Sequence, residues 1–416
     1  MLARIVTSLA LVIVSVPACP PAAADQVVKL AYIDPLSGAF ANVGEWGLKQ
    51  FQFMAEEINR RNLAPGFKLE VVGYDNKVSP QESLTILKKV VDSDIRYVVQ
   101  GNGSSVAVAL SDAVQKHNER NPGMELLYLN YAAVDPELTN AKCHFMHFRF
   151  DANSDMKMEA LTTYLAKDTS IRKVYLINQN YSFGQAVARA AKADLGRKRP
   201  DIQIVGDDLH PLGQVKDFAP YVAKIKASGA DTVITGNWGN DMTLLIKAAK
   251  DAGLTVNFYT YYAGGLGSPT AMGDAAIGRV KQITEWHLNV PARETEKLAN
   301  AFKGKYQQDW YYFRIGTAMY MLAEAMKRAK SADPVAVAKQ LSGMKFTTEL
   351  GEVEMRATDH QLIQPLYIST LEKSATKGGP KEVRYDVEGT GLGFKTDARI
   401  EAYVSAQPTS CQMKQP

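Results

Sequence analysis

The sequence predicts an α/β protein of two lobes in tandem, each built on a doubly wound parallel sheet. Short apolar runs rich in Val, Ile and Tyr alternate with segments of helical periodicity. This alternation begins near residue 29 and starts again near residue 154. The last part of the chain returns to helix and then to strand, as expected if it completes both lobes. Strands and helices that alternate at this spacing form parallel sheets covered by helices on both faces.

The first run of this alternation supplies the first lobe. Its opening helix shows the expected pattern, because Leu48, Phe51, Met54 and Ile58 share one face. The predicted strands are 29–33, 67–74, 97–100 and 125–130, and the predicted helices are 44–61, 80–92 and 105–118.

The second run supplies the second lobe, and the rest of the chain adds to both. This run predicts helices at 154–167, 185–197, 216–227 and 240–252, with strands at 173–178, 202–207, 231–235 and 256–261. The remainder predicts a strand at 279–286, helices at 292–309, 315–329 and 334–341, and strands near 351–355, 366–371 and 383–387. A chain that returns in this way crosses between the lobes several times, which predicts a hinge.

The first 24 residues have the pattern of a secretory signal. Arg4 precedes an apolar stretch from Ile5 to Val16, and three alanines stand before Asp25. The stretch is too short to span a bilayer, so we expect an exported, soluble, periplasmic protein. Cys19 follows Val-Pro-Ala, which faintly resembles a lipoprotein cleavage box. Proline just before the small residue is unfavourable there, so lipid anchoring is the less favoured alternative.

Cysteines and charge narrow the class of protein further. After cleavage before Asp25, Cys143 and Cys411 are the remaining cysteines, and an even pair in an oxidising compartment predicts a disulfide. Two buried free thiols are the alternative. The net charge is +4, but basic and acidic residues are interspersed, so no nucleic-acid surface is expected.

The loop Gly-Asn-Gly-Ser-Ser at 101–105 joins a predicted strand to a predicted helix. Ligands of open parallel sheets bind at the carboxyl ends of the strands. A helix N-terminus there offers unpaired N–H groups and partial positive charge, so with the Ser104 and Ser105 hydroxyls it can grip a carboxylate. The alternative is that one of these serines only caps its own helix. Aromatic residues in the other loops supply apolar walls, among them Tyr131, Tyr181, Phe183, Trp238, Tyr261 and Tyr262.

Sequence patterns of enzymes are missing. There is no G-x-S-x-G elbow, no P-loop and no G-x-G-x-x-G after a strand. The segment Cys-His-Phe-Met-His at 143–147 looks metal-binding, but in a strand His144 and His147 face opposite sides, and no second ligand pair accompanies them. We therefore expect no catalytic residues, no metal and no cofactor.

Several segments together resemble one family of transport proteins. They are "VKLAYIDPLSGAFANVGEWGLKQFQFMAEEIN", "LEVVGYDN", "YVVQGNGSS", "AAVDPELTN", "NYSFGQAVARAAK" and "GADTVITGNWGNDMTLLIKAAKDAGL", in order from residue 28 to about residue 350. They resemble periplasmic solute-binding proteins of the branched-chain amino-acid (leucine/isoleucine/valine-binding) type, the capture subunits of ABC importers.

The resemblance implies a type I periplasmic binding fold, in which two lobes joined by three crossovers close on one small ligand. The implied division is a signal peptide at 1–24, lobe 1 at 25–148 plus 284–348, lobe 2 at 149–283 plus 349–405, and a tail at 406–416. The implied partners are ABC permease and ATPase subunits, and a monomer is expected.

The resemblance also implies a set of ligand-binding residues. In that family the loops matching 101–105 and 132–134 hold the ligand carboxylate, and Val134 stands where a threonine hydroxyl is common. Phe183 and Trp238 take the positions of aromatic wall residues. The candidate site is Gly103, Ser104, Ser105, Ala132, Ala133, Val134, Tyr181, Phe183, Asn237, Trp238 and Tyr262.

One departure from the family concerns the ligand. Amino-acid binders of this type usually place a carboxylate after the strand matching 256–261, where it pairs with the ligand ammonium. Here Tyr261 and Tyr262 follow, with no acid, and burying an unpaired ammonium is costly. Asp241 is a substitute partner, but it lies at a helix start, where it can complement the dipole instead. We therefore favour a carboxylate ligand with an aromatic or apolar body and no ammonium, with a branched-chain amino acid as the alternative.

Three functions compete at this point. The first is a binding protein that delivers its ligand to a membrane permease, which reads the closed state. The second is a sensory module of the same fold that presents its ligand to a membrane receptor. The third is a secreted hydrolase that uses Ser104 or Ser105, and the missing general base argues against it.

Overall fold

The computed structural model describes residues 25–415 of the chain. The predicted signal peptide and Cys19 therefore lie outside the described residues. Between residues 25 and 415, no helix is both long enough and apolar enough to cross a membrane.

The described strands and helices follow the predicted alternation. The strands are β1 Gln26–Asp34, β2 Phe67–Asp75, β3 Tyr97–Gln100, β4 Leu127–Asn130, β5 His147–Arg149, β6 Lys173–Gln179, β7 Gln203–His210, β8 Thr232–Thr235, β9 Asn257–Thr260, β10 Val280–Thr284, β11 Lys345–Thr348, β12 Gly351–Met355, β13 Leu362–Ile363, β14 Leu366–Lys373 and β15 Leu392–Ile400. The helices are α1 Ala41–Arg60, α2 Pro80–Asp92, α3 Ser104–Arg120, α4 Ser154–Leu165, α5 Ser182–Lys198, α6 Ala219–Ser228, α7 Gly239–Asp251, α8 Ser268–Met272, α9 Arg293–Tyr306, α10 Phe313–Ala329, α11 Pro334–Leu341 and α12 Ala402–Ser405.

Two large sheets form the cores of two lobes. The first has the order β2-β1-β3-β4-β5 and is parallel throughout. The second has the order β15-β14-β10-β9-β8-β6-β7, and in it only β14 runs opposite to the other strands. Strands β3, β4 and β8 are buried along their whole length, as expected for parallel strands covered by helices on both faces. The predicted α/β fold of two parallel-sheet lobes is confirmed.

The chain passes between these lobes at three places before its tail. After β5 it enters the second lobe, where α4 packs against α5 and β14. After β10 it returns, and α10 packs against α1 of the first lobe. After the small antiparallel sheet β11-β12-β13 it leaves again to form β14. The exact lobe boundaries given above stay a prediction.

The tail brings the chain back to the first lobe through a disulfide. Cys411 is bonded to Cys143, which lies just before β5, and their Cα atoms are 5.7 Å apart. Thr409 supports this attachment by donating its hydroxyl to the Thr139 carbonyl oxygen at 2.6 Å. The predicted pairing is therefore present, and it fastens the end of the second lobe to the first.

One sequence-based prediction of a strand was wrong. Residues 383–387 do not form a strand, because the backbone N–H and carbonyl of Tyr385 bond to the Asn289 side chain at 2.8 Å each, and not to a neighbouring strand. The strand lies further on, in β15, which pairs with β14. Of the segment 143–147, only His147 belongs to a strand, β5, and the His144 ring nitrogen lies 2.9 Å from the Ser111 hydroxyl.

Candidate functional site

A narrow cavity lies between the two lobes, at the carboxyl ends of their strands. Residues from both lobes line it, and nine of the eleven candidate binding residues are among them: Gly103, Ser104, Ala132, Ala133, Val134, Tyr181, Phe183, Trp238 and Tyr262. The structure also places residues there that sequence reasoning missed, notably Trp46, Tyr311, Tyr312 and Arg314.

The N-terminus of α3 opens onto this cavity. Gly103 precedes the helix with a φ of +91°, a left-handed conformation that favours glycine. The helix begins at Ser104, one residue earlier than predicted, and neither serine side chain caps it. Its first N–H groups have no acceptor within the helix, and Gly103 and Ser104 line the cavity. The Ser104 side chain is buried and makes no hydrogen bond within residues 25–415, so the loop offers donors to an anion.

Asp34, at the end of β1, fixes this loop through hydrogen bonds to its backbone. Its carboxylate accepts hydrogen bonds from the Gly101 N–H at 3.2 Å, the Asn102 N–H at 2.9 Å and the Tyr131 hydroxyl at 2.8 Å. Burial raises the pKa of Asp34 to about 7, although the hydrogen bonds from Tyr131 and the loop N–H groups oppose the shift. This pKa places the ionisation of Asp34 close to neutral pH, next to the loop that lines the cavity.

The second first-lobe loop contributes less hydrogen bonding than the resemblance implies. The N–H groups of Ala132 and Ala133 already donate to the Asn130 side-chain oxygen, at 3.3 and 2.8 Å. Val134 is buried and offers an apolar side chain at the position of the family's threonine. This loop thus shapes the cavity, and the free donors come from α3.

The second lobe presents an aromatic wall. The Trp238 indole N–H donates to the Tyr181 hydroxyl at 2.8 Å, so the indole N–H is satisfied, whereas within residues 25–415 the Tyr181 hydroxyl proton has no acceptor. The Phe183 ring centroid lies 5.8 Å from that of Tyr181 and 6.2 Å from that of Tyr262. The wall therefore offers ring faces and edges to the apolar part of a ligand.

Three residues considered from sequence lie outside the cavity lining. Ser105 is half-buried on α3 and does not line it. Asn237 is fully buried, with its side-chain nitrogen 2.8 Å from a ring nitrogen of His210. Asp241 is also fully buried, and its carboxylate accepts from the Gln179 amide at 2.8 Å and the Gly213 N–H at 2.9 Å. Asp241 is thus held within the second lobe, away from an ammonium in the cavity.

A cluster of four buried charges lies at the base of the cleft. Arg314 Nη1 donates to both oxygens of Glu285, at 2.8 and 2.9 Å. Lys157 Nζ lies 2.9 Å from Asp151 Oδ1, and Arg314 Nε lies 3.5 Å from Asp151 Oδ2. Burial opposes the charge of Arg314, but Asp151 and Glu285 outweigh it and hold its pKa above the ordinary value. Of these four residues, Arg314 alone lines the cavity.

Most of the chain matches one family model. The family model described as "Periplasmic binding protein" matches residues 27–379. The chain belongs to the periplasmic binding protein family. This confirms the family resemblance given by the sequence segments.

Individual members of the family show how far the similarity extends. Leu/Ile/Val-binding protein homolog 4 of Brucella abortus (strain 2308) is 32% identical over 95% of this chain and 94% of its own length. The closed-conformation crystal structure of a leucine-, isoleucine-, valine-, threonine- and alanine-binding protein from Brucella ovis superposes with a TM-score of 0.82. It is 30% identical and covers 94% of this chain and 100% of its own. A solute-binding protein of an ABC transporter from R. palustris, in complex with benzoate, gives a TM-score of 0.76 at 17% identity over 93% and 100% of the two chains.

The charge on the cavity lining of this periplasmic binding protein is positive. Within the described part of the chain, Arg314 is the charged residue among those that line the cavity, and no carboxylate joins it. Sequence reasoning missed Arg314 because it lies inside a helix, 210 positions after Ser104, with no local motif around it. Asp34 was missed because no local motif surrounds it either. Its position at the end of a strand, where ligands of open parallel sheets bind, could have indicated it.

Proposed function

We propose that this chain is the substrate-binding component of an ABC importer. In the periplasm it captures a small carboxylic acid that has an apolar or aromatic body and no ammonium. The observation that carries the proposal is the cavity lining, which combines the donors of α3 with aromatic walls and contains no carboxylate among the described residues. Closure of the lobes on the ligand would present the loaded form to permease and ATPase subunits.

The missing carboxylate argues against an amino acid as the ligand. An ammonium buried in this cavity would lack an anionic partner, and an unpaired buried charge costs several kcal/mol. Glu285 and Asp151 are committed to Arg314 and Lys157. Asp241 does not line the cavity, and its Oδ2 accepts hydrogen bonds from groups within the second lobe.

Relatives with printed ligands fall into two groups. Those from Brucella are named for leucine, isoleucine and valine, whereas several solved structures hold benzoate or hydroxybenzoates. The benzoate and hydroxybenzoate complexes are under 25% identical to this chain and support only the fold. The choice between the two ligand classes therefore rests on the residues that line this cavity.

Matched ligand pairs test the absence of the ammonium directly. We expect 4-methylpentanoate to bind the chain from Asp25 onward more tightly than leucine, and 3-phenylpropanoate more tightly than phenylalanine, because each pair differs only by the amine. Titration calorimetry measures both affinities, and a rise in the melting temperature checks them by mass action. Tighter binding of either amino acid contradicts the proposed ligand class.

Binding alone does not distinguish delivery to a permease from presentation to a sensory receptor. We expect deletion of the gene to abolish uptake of the radiolabelled acid by intact cells, and expression of the chain with its first 24 residues to restore uptake. Undiminished uptake together with a lost transcriptional response to the acid would favour the sensory function.

A further inference from the structure

Three buried hydrogen-bond donors on residues that line the cavity have no partner among the described residues. Arg314 Nη2, the Trp46 indole nitrogen and the Tyr311 hydroxyl are buried atoms, and within residues 25–415 nothing accepts a hydrogen bond from them. All three residues line the cavity. The Arg314 and Trp46 side chains are 2% and 3% exposed, so bulk water does not compensate them.

Their positions are fixed by packing, so they are held ready for a ligand. The rings of Trp46 and Tyr311 stack with centroids 5.7 Å apart. The guanidinium carbon of Arg314 lies 4.7 Å from the Tyr312 ring centroid, and its Nε donates to the Tyr131 carbonyl oxygen at 2.7 Å. A buried polar group without a partner destabilises the fold, so an acceptor placed here by a ligand recovers that free energy.

The charges around these donors select the kind of acceptor. Arg314 and Lys157 carry two positive charges, and Glu285 and Asp151 carry two negative charges, so the buried cluster is already balanced. A second carboxylate on the ligand would add an uncompensated negative charge in a buried position. An uncharged oxygen would accept from Arg314 Nη2 without disturbing this balance.

We infer that Arg314, Tyr311 and Trp46 form a second polar subsite, which reads an uncharged oxygen on the ligand. The ligand class is then a hydroxy- or oxo-substituted carboxylic acid whose carboxylate lies at the N-terminus of α3. This inference rests on the proposed function, because it assumes an acid without an ammonium in the same cavity. Arg314 is its central specificity-determining residue.

Matched acids with and without the second oxygen test the subsite. The probes are benzoate against 3- and 4-hydroxybenzoate, and pentanoate against 4-oxopentanoate, each measured by titration calorimetry. We expect at least one oxygenated acid to bind about 10-fold more tightly than its parent, the value of one hydrogen bond to a charged group. Terephthalate and glutarate provide the dicarboxylate arm, and tighter binding of either than of every hydroxy and oxo acid overturns the uncharged class.

Two conservative variants then test which side chains bind the second oxygen of the ligand. Arg314→Lys keeps the charge beside Glu285 but removes the forked guanidinium, and Tyr311→Phe removes only the unpartnered hydroxyl. We expect each variant to lower the affinity ratio between oxygenated and parent acid, to within about 2-fold for Arg314→Lys. Tyr306→Phe, on α9 and outside the cavity lining, is the matched control and should leave the ratio unchanged.

The affinity ratio between oxygenated and parent acid distinguishes a second subsite from a purely structural role of Arg314. It also distinguishes failure of this inference from failure of the proposed function. If Arg314→Lys weakens both members of a pair equally, Arg314 supports the fold or holds the carboxylate, and the second subsite is contradicted. If acids bind the wild type but the second oxygen changes affinity less than 2-fold, only this inference fails. If no acid binds and leucine does, the proposed function fails and the inference fails with it. Should Arg314→Lys not fold, Tyr311→Phe and Trp46→Phe carry the same test.

Discussion

The two faces of the cleft are built from opposite chemistry. The first-lobe face offers hydrogen-bond donors, from the N-terminus of α3, Ser104 and Arg314, whereas the second-lobe face offers the rings of Phe183 and Trp238. On the proposed function, the two lobes therefore contact different parts of the ligand. The first lobe would fix the ligand oxygens through directional hydrogen bonds, and the second would cover the ligand body with aromatic rings.

The two faces also touch each other directly. Phe40, from the first lobe, reaches across the cleft, and its ring centroid lies 4.4 Å from that of Trp238. Gly239 makes room for it, because a Cβ at this position would lie 2.6 Å from the Phe40 ring. Closure of the lobes therefore buries aromatic surface even where no ligand is touched, and Trp238 serves both purposes.

Removing the aromatic wall is expected to have the largest effect. Trp238→Ala deletes a ring that lines the cavity and also the contact with Phe40, so we expect aromatic acids to bind about 100-fold more weakly. Calorimetry against benzoate measures the loss. Tyr403→Ala, at a position that is 80% exposed, removes an aromatic ring elsewhere and should change nothing. A loss below about 3-fold would mean that the second lobe does not cover the ligand.

A smaller effect is expected at the first-lobe face, where two adjacent serines give a matched comparison. Ser104 lines the cavity and Ser105 does not. We expect Ser104→Ala to weaken carboxylate binding about 10-fold, because one hydrogen bond to a charged group is lost, and Ser105→Ala to change it less than 2-fold. Equal losses in the two variants would indicate that the helix start, and not the Ser104 hydroxyl, holds the carboxylate.

The main fold and much of the cavity lining were accessible from sequence because both depend on local patterns. The buried strands β3 and β4 are continuous apolar runs, and the glycine and serines of 101–105 mark the loop that follows β3. Strand β15 was missed because polar Lys395, Asp397 and Arg399 alternate in it, as suits a strand at the edge of the sheet.

The missed site residues depend on contacts between distant segments. Arg314 reaches the cavity only because α10 packs on the first lobe and because Glu285, at the crossing after β10, neutralises it. Asp34 lies 67 positions before Gly101, to which it is hydrogen-bonded. A buried arginine or aspartate looks like any charged residue in the sequence until its partners are known.

The smallest predicted effect is a dependence of ligand affinity on pH. It comes from Asp34 and therefore belongs to the first-lobe face alone. Its pKa of about 7 means that it ionises as the pH rises from 6 to 8, beneath the donors of the first-lobe face. A carboxylic acid ligand stays ionised over this range. We therefore expect its affinity to fall about 3-fold between pH 6 and pH 8, through repulsion by the new charge. Calorimetry at both values should show this fall in the wild type and not in Asp34→Asn.

The free energy of unfolding gives an independent test of the ionisation of Asp34. The pKa of Asp34 is higher in the folded than in the unfolded chain, so its contribution to the free energy of unfolding is complete below about pH 4 and is lost as the pH rises toward 7. Burial lowers the pKa of His144 and of His360 to about 4, so both act with the opposite sign and destabilise the fold as the pH falls below about 6.5. The difference between wild type and Asp34→Asn cancels the histidines. If that difference does not change between pH 4 and pH 7, Asp34 is ionised throughout, and the pH dependence of binding must arise elsewhere on the first-lobe face.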